Sequence, residues 1–84
     1  MYLHIGNDII VSKTDIVGIF ELDGKITTKD TKDLLTSFQK KGALESAGDD
    51  LPKSYIIVDN EEGEKIYLSH ISVSSLVNRC SLPF

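Results

Sequence analysis

The sequence predicts a small α+β fold: a mainly antiparallel β-sheet with one central helix and a short C-terminal helix. Three observations lead there. Short runs of β-branched and aromatic residues recur along the chain, such as Ile16-Val17-Gly18-Ile19-Phe20 and Ser54-Tyr55-Ile56-Ile57-Val58. A single amphipathic stretch before Gly42 has helical spacing. The strands come in groups, three before the helix and two after it, rather than alternating with helices one by one.

The first strand is Tyr2-Leu3-His4-Ile5. Gly6-Asn7-Asp8 is a turn, because glycine tolerates positive φ and Asn and Asp bond their own backbone. Ile9-Ile10-Val11 resumes the strand, and Ser12 to Asp15 is a polar break. Ile16 to Leu22 is the clearest strand of the first half. Its apolar residues fall on both parities, the pattern of a strand buried on both faces. Gly18 within it marks a bulge or a close neighbour.

Thr27 or Thr28 starts a helix of about 14 residues, with Asp30 near the positive end of its dipole. Leu34, Leu35 and Phe38 form its apolar stripe, and Gly42 is its C′ residue. Residues 43 to 53 read as a mobile loop. Ser54 to Val58 and Lys65 to Leu68 form a hairpin around the charged segment Asp59 to Glu64. Ser72 caps a short last helix whose Leu76 and Val77 face inward and which ends at Asn78-Arg79, with Pro83 preventing a restart. Ile16, Val17, Ile19, Phe20, Ile57, Ile66 and Leu68 are the expected core of the sheet. On that assignment Phe20→Ala costs about 3–5 kcal/mol.

Composition narrows the function. The chain has 84 residues, 40% of them hydrophobic and 26% charged, so it reads as one folded soluble domain. A core of this size is marginal, and a lone cysteine, Cys80, permits no internal disulfide, so oligomerisation is the expected support. One cysteine also suits a reducing cytoplasm. No apolar run approaches the ~20 residues of a membrane helix, and no signal peptide opens the chain. The net charge of -4 does not suggest a strongly basic nucleic-acid binder.

The chemistry-bearing residues converge on no catalytic or metal centre. His4, His70 and Cys80 lack paired metal-ligand spacing, and structural roles are the ordinary explanation for all three. No serine lies in a nucleophile elbow, and the glycines are scattered singly rather than gathered in a phosphate loop. The acidic run Asp59 to Glu64 lacks an EF-hand pattern and reads as a solvated hairpin tip that discourages edge aggregation. No enzyme and no cofactor are expected. Lys29, Lys32, Lys40 and Lys41 mark a solvated helix face interrupted by Asp30 and Asp33.

Three segments, in this order and spacing, carry a family resemblance. Leu3-His4-Ile5-Gly6-Asn7-Asp8 leads through Val11-Ser12 to Asp15-Ile16-Val17-Gly18-Ile19-Phe20; Pro52-Lys53-Ser54 opens a later strand; Lys65-Ile66-Tyr67-Leu68-Ser69 leads to Ile71-Ser72, Ser75-Leu76 and Arg79. Together they resemble the extracellular matrix regulatory proteins of Gram-positive bacteria, the RemA/RemB family, and its RemB type more closely. The resemblance spans residues 1–84 and is weakest over 23–51. It implies a non-enzymatic regulator of biofilm-matrix transcription, a ring-forming homo-oligomer that presents DNA with a repeated basic surface. Asp15, Asp50 and Leu51 stand where that family carries arginines. Lys13, Lys53 and Arg79 are the basic residues left at or near matching positions, and they are the candidate nucleic-acid contacts. Two mechanisms follow: DNA binding multiplied by copy number, or modulation of a more basic paralogue through protein contact. An adaptor module with no nucleic-acid role is the alternative.

Overall fold

The structure, a computed structural model, describes residues 2–6, 8–22, 29–47 and 51–80. The order is β1 (Tyr2–Gly6), β2 (Ile9–Ser12), a single 3₁₀ turn (Lys13–Asp15), β3 (Ile16–Glu21), α1 (Lys29–Lys40), β4 (Leu44–Ser46), β5 (Ser54–Asn60), β6 (Gly63–Ser69) and α2 (Val73–Cys80). Strands β1 and β2 form a separate hairpin, and the other four make one sheet in the order β3-β5-β6-β4. Among the described residues, only the β4–β6 pairing is parallel. The α+β class with a mainly antiparallel sheet therefore stands.

The period-two alternation of β5 and β6 divides the core into two layers. Ile56 and Val58 face Leu3, Ile5 and Val11 of the β1–β2 hairpin and Leu76 of α2. Tyr55 and Ile66 face Phe38 of α1, with Leu34, Leu35, Ile57 and Leu68 around them. The sheet thus lies between α1 on one side and the hairpin plus α2 on the other. Helix α1 ends as expected: Gly42 has φ +74°, Ala43 N donates to Phe38 O at 2.8 Å and Gly42 N to Gln39 O at 3.0 Å. These are the two bonds of a Schellman cap. The expected caps Thr27 and Thr28 lie outside the described residues, and the described helix is 12 residues long.

Several expectations are corrected. Strand β3 is an edge, not a strand buried on both faces: Val17 is 64% exposed and Phe20 41%. The register explains the misleading pattern. Ile16 opposes Val58 and Gly18 opposes Ile57, so Val17 is an extra residue, a β-bulge. The bulge puts Ile16 and Ile19, three apart, on one face, where both pack on the Ile56 layer. Gly18 is both bulge neighbour and platform, because a Cβ there would lie 2.7 Å from the Phe20 ring. The core is accordingly Leu3, Ile5, Val11, Phe38, Ala47, Tyr55, Ile56, Val58, Ile66 and Leu76. Val17 and Phe20 leave it, and of the expected set only Ile66 is fully buried.

Residues 43 to 53 are not one loop. Leu44–Ser46 pair with Ile66 to Leu68 as β4, and Ala47 is fully buried with its N–H bonded to Leu68 O at 2.7 Å. Three residues are too few to show a period, so only the partner strand defines this one. The β5–β6 connection is shorter than expected, since the strands run on to Asn60 and from Gly63. Gly63 has φ +115°, and Asn60 Oδ1 accepts from Glu62 N at 2.8 Å. Helix α2 extends to Cys80, with Ser72 accepting from Ser75 N at 3.3 Å as its cap. Leu76 is buried, but Val77, turned about 100° from it around the helix, is 43% exposed.

Candidate functional site

The three candidate basic residues are held by different elements. Lys13 opens the 3₁₀ turn between β2 and β3 and is half-buried. Lys53 directly precedes β5 and is exposed, yet its backbone is fixed on both sides. Leu22 N donates to Lys53 O at 2.9 Å, and Lys53 N donates to Ser69 O at 2.8 Å. Arg79 sits in the last turn of α2, and its Nη1 donates to the His4 carbonyl of β1 at 2.9 Å. That bond uses one of five guanidinium N–H groups, so donors remain for a phosphate.

One protomer does not gather Lys13 and Lys53. Ile16 pairs with Val58 at one end of the β3–β5 ladder and Glu21 with Ser54 at the other. Lys13 lies beyond the first end and Lys53 at the second. At about 3.3 Å per residue they are at least roughly 17 Å apart along the strands.

The electrostatics of the two ends differ. At the Lys13 end, Asp15, Asn60, Glu61 and Glu62 line an open recess between the 3₁₀ turn and the β5–β6 tip. This carboxylate cluster opposes a phosphate backbone. At the other end Leu51 is 87% exposed beside Lys53. Asp50 lies outside the described residues. Along α1, Lys29, Lys32 and Lys40 are exposed together with Asp30 and Asp33, and Lys41 Nζ rests 5.3 Å from the Phe38 ring centroid. On β6, Lys65 forms an ion pair with Glu45 at 3.5 Å and lies 5.2 Å from the Tyr67 ring centroid. Burial opposes the Lys65 charge, but Tyr67 and Glu45 together outweigh it and hold its pKa above the usual 10.5. Lys65 is thereby tied into the sheet. Among the described residues, no group of three or more His, Cys, Asp or Glu side chains is placed to hold a metal ion.

Sequence reading missed the serines that join the layers. Ser54 and Ser69 oppose each other on β5 and β6 and are fully buried. Ser69 Oγ donates to Ile5 O at 2.7 Å and accepts from Ile71 N at 3.0 Å, while Ser54 Oγ donates to Ile71 O at 2.8 Å. Ile5 is the unpaired residue where the β1–β2 register shifts, so its carbonyl is taken by Ser69 instead. The signal was present in Lys53-Ser54 and Leu68-Ser69, two of the segments that carry the resemblance. Their serines do structural work.

The outer surface carries two apolar patches in different layers. Leu3 and Val11 point inward from the hairpin, leaving Tyr2 at 73% and Ile10 at 59% exposure. On the sheet, the free edge strand β3 presents Val17 and part of Phe20, whose ring stacks on Tyr55 at 5.0 Å.

A family model described as RemA-like, extracellular matrix regulatory protein A-like, matches residues 2–80. The chain is 34% identical over 86 aligned positions to extracellular matrix regulatory protein B of Bacillus subtilis (strain 168), covering 100% of this chain and 95% of that protein. No helix among the described residues is long and apolar enough to cross a membrane.

Proposed function

Because the chain belongs to the RemA-like family of extracellular matrix regulatory proteins, we propose that it is a non-enzymatic transcriptional regulator that works as a homo-oligomer on DNA. The observation that carries this reading is the pair of unlike exposed patches, Tyr2–Ile10 on the hairpin and Val17–Phe20 on the β3 edge. A free, apolar sheet edge is a template for another chain. Two different patches on one protomer suit a heterologous contact, the hairpin of one copy against the edge of the next, which closes into a ring when its rotation permits. Repetition also supplies what one protomer lacks, because copies in a ring bring several Lys53 and Arg79 side chains to one duplex.

The assembly is tested by mixing. Ile10→Glu and Val17→Glu alter exposed side chains, and each alone should leave the protein monomeric in light scattering. A heterologous contact predicts that the two variants mixed recover a one-to-one dimer, through the one intact pair of surfaces. Assembly unchanged in both single variants would overturn the proposed interface.

DNA binding is tested by titrating labelled duplex with the protein at several salt concentrations. Affinity should fall by about 0.9 log units per log unit of salt for each phosphate engaged. Lys53→Glu combined with Arg79→Glu should abolish binding. Unchanged binding would move the contact elsewhere, first to the lysines of α1. The acidic recess at Asp15, Glu61 and Glu62 favours a second reading, in which a basic protein of the same fold is the partner. An oligomer without DNA affinity at low salt that binds such a protein would select it.

A further inference from the structure

Arg79 is a candidate phosphate ligand, yet in this fold its guanidinium already has a structural partner. Its Nη1 bonds the carbonyl of His4, and His4 is the register partner of Ile10. The bond therefore fastens the last turn of α2 to the hairpin beside one of the two exposed residues of the hairpin patch. The hairpin needs fastening. It is a two-stranded ribbon outside the main sheet, and such ribbons are marginal alone. On its inner side it is held by Leu3, Ile5 and Val11 and by the Ser69 bond to Ile5. Arg79 adds a hold from α2 on the backbone of β1.

We infer that Arg79 is a positioning residue for assembly: through the His4 carbonyl it sets the pose in which the hairpin meets the next copy, before any DNA is present. This rests on the reading that the hairpin patch is an inter-copy surface. Arg79 then has two tasks that separate experimentally. A residue that only meets phosphate changes DNA affinity and its salt slope, and leaves assembly in DNA-free buffer untouched. A residue that poses the hairpin changes assembly without DNA.

The experiment is a dilution series of DNA-free protein followed by light scattering, for the wild type, Arg79→Ala, Arg79→Lys and Ile10→Glu. Hydrogen exchange of the Tyr2–Ser12 amides is measured on the same samples. Arg79→Ala should raise the protein concentration needed for assembly by about fivefold or more, because losing one charge-assisted hydrogen bond within each protomer loosens the hairpin that meets the next copy. It should also speed exchange in the hairpin but not in β5 and β6. Lysine keeps the charge and can still donate to the carbonyl, so it should recover part of both effects, which also guards against a folding failure of the alanine variant. Wild-type-like assembly of Arg79→Ala, beside a monomeric Ile10→Glu, overturns the positioning role and leaves the assembly reading standing. Full assembly of Ile10→Glu removes the hairpin interface and the positioning role together.

Discussion

Replacing Ile56 with alanine should lower the free energy of unfolding by about 2–5 kcal/mol, whereas Phe20→Ala should cost roughly 1–2 kcal/mol. Ile56 is fully buried at the centre of the sheet, packed in the layer of Leu3, Ile5, Val11 and Leu76. Truncation leaves a cavity bounded by two sheets and a helix, which do not collapse independently. Phe20 is 41% exposed and loses mainly its stack on Tyr55 and its cover over Gly18. Urea unfolding of the two variants side by side gives the ranking. An equal or larger loss at Phe20 would mean that β3 is buried and the layer assignment wrong. A protein of 84 residues has about 4–13 kcal/mol of total stability, so the larger loss brings the Ile56 variant near the folding threshold.

Gly6→Ala should cost about 3–5 kcal/mol and release the hairpin from the sheet. Two effects add. Gly6 has φ +130°, a conformation L side chains rarely adopt. A Cβ there would collide with the Ala47 carbonyl oxygen and lie 3.2 Å from His70 Cε1. The first obstacle is backbone, so it does not swing aside. His70 Nδ1 is buried without a hydrogen-bond partner, and beside it Ser69 Oγ donates to Ile5 O and accepts from Ile71 N. The layers meet here at close quarters. Gly63→Ala is the control: it shares a positive φ, +115°, but nothing lies within 4 Å of its Cβ position. It should show the backbone cost alone, roughly 1–3 kcal/mol. Equal losses at the two glycines in thermal unfolding would show that the close approach at Gly6 contributes nothing.

Local chemistry is legible wherever a residue has one dominant conformational preference. Gly42 as a helix stop, Gly6 and Asp8 as a positive-φ turn, Ser72 as a cap and the Leu34-Leu35-Phe38 stripe are read correctly from residue type and spacing. Residue type also nominates Lys13, Lys53 and Arg79 as candidate contacts, because Lys and Arg announce their charge. Their relation to each other is not legible. Nothing local says that Lys13 and Lys53 stand at opposite ends of β3, or that Arg79 is bonded to a strand 75 residues away.

The failures share a cause. Strand β3 looks central because Ile16, Val17, Ile19 and Phe20 are all apolar, and an apolar residue does not report whether a partner covers it. A bulge breaks the period-two rule that would have sorted the faces. Strand β4 is invisible in three residues and exists through its parallel pairing with β6. The amino-acid order is enough for the class, the helices, the turns and the two hairpins, because these follow from propensities and contacts within about a dozen residues. Which strand is the edge, which apolar side chains stay exposed and which glycine touches another backbone depend on long-range pairing. Those contacts are chosen by the burial of the whole chain, and they place the exposed apolar surfaces at Tyr2 and Ile10 and at Val17 and Phe20.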